Sequence, residues 1–80
     1  MRDKKQRIKK ARANGDVRKF VTALRRSRGK GLVLRQLRNR GIKDSPAAYY
    51  GALEDGFPVY TENDRDLNGK AVIRFLIGAE

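Results

Sequence analysis

The chain has 80 residues, enough for one small domain with a modest core. It contains no cysteine and no histidine, which excludes disulfides, thiolate-bound metal and the usual zinc sites and removes the commonest general base. Twenty Lys/Arg against nine Asp/Glu give a formal net charge of +11, and no apolar run approaches the roughly 20 residues of a membrane span or the core of a signal peptide. The chain reads as soluble and intracellular, with a polyanion as partner and no cofactor.

The charge is concentrated rather than spread. Residues 1–14 carry seven Lys/Arg against Asp3, a net of +6, and residues 15–44 carry ten against Asp16 and Asp44, a net of +8. Residues 45–80 reverse the balance, three against six. Such asymmetry is the footprint of a polyanion-binding face.

Residues 1–15 read as a flexible basic arm, since only Ile8 and two alanines interrupt its charge. Residues 16–80 read as the folded domain. Asp16 is expected to cap a first helix, in which Val17, Phe20, Val21 and Leu24 recur at i, i+3, i+4 and i+7 and form one apolar stripe. Its other face carries Arg18, Lys19, Arg25, Arg26 and Arg28, and Gly29 ends it. Lys30-Gly31-Leu32-Val33 follows as a short link able to add one bridge to a later hairpin. Leu34 and Leu37 mark the buried side of a brief second helix that lacks an N-terminal Ser, Thr or Asp and stops at Gly41.

A third helix is predicted from about Pro46 to Asp55. Asp44 or Ser45 caps it, Pro46 fits its first turn, and Gly56 closes it. Tyr49 or Tyr50 shares its buried side with Leu53. Gly51 there costs roughly 1 kcal/mol against Ala, which either a close backbone or phosphate or a crowded helix crossing would explain. Phe57 to Thr61 reads as a strand, Glu62 to Lys70 as a polar connection with a turn at Asn68-Gly69, and Ala71 to Ile77 as the returning strand. In that strand Ile73, Phe75 and Ile77 oppose Val72, Arg74 and Leu76. Either the first helix or the arm covers Val72 and Leu76, or they form a homodimer contact or a contact between neighbours along DNA.

From Asp16 to Gly78 the pattern resembles the winged helix–turn–helix superfamily, in particular its small phage and prokaryotic DNA-binding members. The residues that carry the likeness are Leu34-Arg35-Gln36-Leu37 with Gly41-Ile42, then Ala52 to Val59, then Arg74-Phe75-Leu76. The resemblance implies an α+β fold of three helices and a C-terminal two-stranded β-hairpin wing. It also implies a third helix in the major groove, a wing against the backbone or minor groove, and a regulator or DNA-organising factor in the cytoplasm or nucleoid.

Candidate contacts to nucleic acid are Lys4, Lys5, Arg7, Lys9, Lys10 and Arg12 in the arm, and Arg26, Arg28 and Lys30 around the end of the first helix. Arg35, Arg38, Arg40 and Lys43 follow in and after the second helix, then Ser45, Ala48 and Tyr49 on the third, and Arg65 and Lys70 on the wing. Between Pro46 and Leu53 there is no Arg, Lys, Asn or Gln, the side chains that make bidentate base contacts. Glu62, Asp64 and Asp66 put negative charge on the wing. Binding is therefore expected through backbone phosphates, with duplex DNA as partner. RNA or a ribosome is the alternative polyanion, and a protein-interaction adaptor using the acidic wing and an exposed tyrosine is the alternative class. Carboxylates without histidine at a helix end and in a loop give no catalytic arrangement, and Asp64-x-Asp66 lacks the rest of a calcium pattern.

Overall fold

A computed structural model describes residues 4–79. Four helices, α1 (Lys4–Ala13), α2 (Asp16–Arg26), α3 (Leu34–Asn39) and α4 (Ser45–Glu54), combine with strands β1 (Leu32–Val33), β2 (Val59–Arg65) and β3 (Ala71–Ile77). The fold is α+β. The strands form one antiparallel sheet in the order β1-β3-β2, with Leu32 opposite Phe75 and Thr61 also opposite Phe75. The sheet thus has three strands where two were expected, β1 supplying the extra edge.

The core lies where the apolar stripe of α2 meets α4 and the sheet. Phe20, Leu24, Leu37 and Ile42 are fully buried, each worth roughly 1.5–3 kcal/mol of transfer free energy. The Phe20 ring meets Phe75 edge-on at 5.6 Å and Tyr49 at 6.3 Å, joining helices to sheet. Of the two tyrosines, Tyr49 is the one packed on the core, and Tyr50 is exposed.

The largest correction concerns the arm. Residues 4–13 form α1, which buries Ile8 and Ala11 and lies against α4; Met1, Arg2 and Asp3 fall outside the described residues. Like-charge repulsion along α1 is offset at three points. Arg7 donates twice to Asp44, Arg12 reaches Asp55 and Glu54, and Lys4 Nζ stands 3.6 Å from the centroid of the Tyr50 ring. Small residues on α4 admit α1 closely: a Cβ on Gly51 would lie 2.7 Å from Val17 Cγ2 and 3.5 Å from Ile8 Cγ2. A crowded crossing of three helices is the reason for that glycine.

Local signals mostly held, with informative exceptions. Gly41 and Gly56 close their helices at φ 85° each, and Asp44 caps α4 by accepting the Ala47 N–H at 3.2 Å. Asp16 does not cap its own helix. Gly15, in the left-handed region, occupies that position, while the buried Asp16 carboxylate accepts the Asp44 N–H. The second helix has its missing cap supplied from within, Gln36 Oε1 accepting the Val33 N–H at 3.0 Å. Leu34 and Leu53, expected inside, are exposed, while Leu37 is buried as expected and Ala52 is buried on α4.

Candidate nucleic-acid interface

Two strands and a tight loop build the projecting hairpin. β2 continues to Arg65, so the connection shrinks to Asp66–Lys70. Asp66 holds the loop from inside: its Oδ1 accepts the Asn68 and Lys70 N–H groups at 2.9 Å each, and Arg65 donates to the Gly69 carbonyl at 2.9 Å. Leu67 is left wholly exposed at the tip beside Lys70. On the outer face of the sheet Arg74 donates to Asp64 at 2.7 Å, and the Asp64 carboxyl is held below its usual range by the Arg65 backbone N–H first and by Arg74 second. Two of the three acids expected to repel phosphates from the hairpin are therefore engaged in its own structure.

The segment before β1 folds across this outer face. Gly31, at φ 74°, sits so close that a Cβ would lie 2.7 Å from the Phe75 carbonyl oxygen and 2.8 Å from Leu76 Cγ. Arg74 also donates to the Lys30 carbonyl at 3.3 Å. Leu76 is buried and Val72 half-buried within the single chain. Of the two alternatives for this face, cover within the chain holds for Leu76, and the segment before β1 supplies it rather than the first helix or the arm.

Helix α4 presents a narrow exposed edge, Pro46, Tyr50 and Leu53. Ala48, expected at the interface, is fully buried, and Ser45 is buried at the helix start. The helix start at Ser45, a candidate phosphate contact, is already served by a carboxylate: Asp44 caps the helix and is pinned by Arg7. Arg7 first, the Ala47 N–H and nearby Lys10 hold the Asp44 carboxyl below its usual range, against a smaller opposing effect of burial. Tyr49 is half-buried between Phe20 and Phe75, so Tyr50 replaces it as the accessible ring.

The cations divide into two groups. Arg7, Arg12 and Arg74 are in ion pairs, Lys4 lies on Tyr50, and Arg65 braces the hairpin loop. Lys5, Lys9, Arg26, Arg28, Lys30, Arg35, Arg38, Arg40, Lys43 and Lys70 are exposed, with no carboxylate within ion-pair distance among the described residues. Lys10 is exposed beside the Arg7–Asp44 pair. Two further exposed cations, Arg18 and Lys19, lie in a shallow groove with Arg26 and Arg40, and the sequence pattern gave no reason to single them out from an ordinary solvated helix face. Among the described residues no group of acids stands close enough to hold a metal ion, and no helix is long and apolar enough to cross a membrane. No family model, curated protein or solved structure matches the chain.

Proposed function

We propose that this protein is a small winged-helix domain that binds duplex DNA largely through backbone phosphates. One observation carries the reading. Among the described residues every acid except Glu62 is engaged inside the molecule: Asp16 and Asp66 on backbone N–H groups, Asp44, Glu54, Asp55 and Asp64 on arginines. Lys5, Lys9, Arg26, Arg28, Lys30, Arg35, Arg38, Arg40, Lys43 and Lys70 face solvent without an acid partner among the described residues, as a phosphate-neutralising surface requires.

The order α2-β1-α3-α4-β2-β3 and a sheet ordered β1-β3-β2 support the winged-helix assignment. In this reading Arg35, Arg38 and Lys43 grip phosphates beside the α3–α4 turn. The exposed edge of α4 meets the groove with Tyr50 and Leu53, and the braced loop brings Leu67 and Lys70 to the duplex. With no amide or guanidinium on that edge, direct base reading is weak, and a DNA-organising role suits the surface better than recognition of one operator.

Gel shifts of the purified protein against random duplex DNA and structured RNA, titrated with salt, test this. Duplex binding that weakens steeply with salt and varies little with sequence is the expected result. Binding confined to RNA, or salt-insensitive binding, overturns it.

A further inference from the structure

The groove on the outer side of α2 joins Arg26 and Arg40, two of the free cations, to Arg18 and Lys19, which no surface above uses. Arg18, Lys19, Thr22, Ala23 and Arg26 line it from α2, and Arg40 closes it from the end of α3. It thus gathers four cations around one partly buried hydroxyl, and no carboxylate lines it. Lys19 reaches across toward the α3–α4 turn, its Nζ 3.8 Å from where a Cβ on Gly41 would stand.

Helix electrostatics do not account for this cluster. Arg26 in the last turn of α2 and Arg40 after α3 lie at helix C-terminal ends, where the dipole favours a cation. Arg18 and Lys19 lie in the first turn of α2, the end that disfavours one. Holding four like charges around one groove opposes folding, and an anion lodged between them relieves it.

Direction gives the groove its meaning. Helix α2 faces α4 with Val17 and Phe20, which touch Gly51 and Tyr49. At 100° per residue, Lys19, Thr22 and Arg26 point to the far side of α2 from that contact. On α4, Ala48 and Ala52 are buried while Pro46, Tyr50 and Leu53 point away. The groove and the exposed edge of α4 therefore lie on opposite sides of a two-helix layer, about 20 Å apart at roughly 10 Å per helix. A straight duplex lying along the α4 edge does not reach the groove.

We infer that the Arg18–Lys19–Thr22–Arg26–Arg40 groove is a second phosphodiester-binding site, so that one molecule bridges two duplex segments. The inference rests on the duplex-binding reading and adds a partner surface to it. Four cations line one groove, and Thr22 offers a hydroxyl donor beside them.

The test immobilises one 40-base-pair duplex on beads and measures protein-dependent capture of a second, labelled duplex of unrelated sequence. In parallel, affinity for a single duplex is measured by anisotropy, and sedimentation reports the state of the free protein. The parent is expected to capture the second duplex as a monomer. The Arg18→Gln/Lys19→Gln variant is expected to lose capture at least tenfold while single-duplex affinity falls less than threefold, with unchanged circular dichroism. Thr22→Ala, which keeps every charge of the groove, is expected to show the same split in weaker form. Capture by the double variant equal to the parent's overturns the inference, as does capture only by a self-associated protein. A parent that binds a single duplex yet captures no second one overturns the bridging site and leaves the duplex-binding reading standing. A parent that binds no duplex overturns both.

Discussion

The buried carboxylate of Asp16 accepts the backbone N–H of Asp44 at 3.2 Å, tying the start of α2 to the cap of α4. Asp44 in turn caps α4 through the Ala47 N–H and receives Arg7 from α1 at 3.1 and 2.9 Å. Three helix starts are thereby joined through two aspartates. Replacing Asp16 by Ala leaves the Asp44 N–H without its acceptor, at a cost of about 1–3 kcal/mol. Urea unfolding of Asp16→Ala is expected to show that loss, whereas a helix cap on exposed α2 alone would cost nearer 1 kcal/mol. A midpoint equal to the parent's would contradict the tie.

Acid should weaken the same junction. The folded-state pKa of Asp44 is lowered, mainly by its hydrogen bonds from Arg7. A lowered folded-state value means stabilisation that is present above the unfolded value of about 3.9 and lost as pH falls through the folded one. Melting temperature is therefore expected to drop below about pH 4. Arg7→Gln should make the acid limb shallower, because Asp44 then titrates closer to its unfolded value. Matching limbs in parent and variant would show that Arg7 does not control this carboxylate.

Gly51 offers a test in which two rules disagree. Helix propensity favours Ala over Gly by about 1 kcal/mol, but the added Cβ would stand 2.7 Å from Val17 Cγ2. Overpacking a well-filled crossing costs about 1–3 kcal/mol, so Gly51→Ala is expected to destabilise on balance. Combining it with Val17→Ala, which removes the obstructing methyls, should give a double variant more stable than the sum of the single losses. Additive losses would mean the crossing has room to relax.

Integration of α1 into the domain is equally measurable. Ile8 is buried at 4% exposure, so Ile8→Ala is expected to cost about 2–4 kcal/mol in thermal or urea unfolding. Lys9→Ala, one residue away and exposed, should stay within about 0.5 kcal/mol. A loose arm would give no effect at either position.

The reach of the sequence can be judged from these same residues. Glycine and proline punctuation located α4 and its cap, and the stripe in α2 located the core, because both depend on neighbours within one turn. The role of Asp16 was not legible, since its partner lies 28 residues away and a capping role looked locally sufficient. Composition alone made α1 resemble a disordered arm. Its charge is offset by Asp44, Glu54 and Asp55, acids distant in sequence that the fold brings against it. Alternation along β3 suggested an uncovered face, and the covering segment follows from the left-handed turn at Gly31, which has no sequence period. For the proposed interface, charge indicated which half of the chain is basic, while the division between paired and free cations needed the fold.

Salt dependence is the sharpest check on the assigned duplex face. Each phosphate neutralised releases counterions, so log K is expected to fall against log salt with a slope of about −0.9 per contact on B-form duplex. Arg35 and Arg38 are exposed on α3 without acid partners, and each is assigned one phosphate. Arg35→Gln/Arg38→Gln should then make the slope shallower by about 1.8, twice the single-contact value. Affinity should weaken by the same factor on every sequence, since a phosphate contact carries no base information. Tyr50→Ala is expected to behave differently, leaving the slope unchanged and altering only what preference exists among sequences. The Arg12→Gln variant supplies the control, because Arg12 is engaged by Asp55 and Glu54 and its loss should act on stability before it acts on the slope. An Arg35/Arg38 double variant with the parent's slope and low-salt affinity would place the duplex on another face of the molecule.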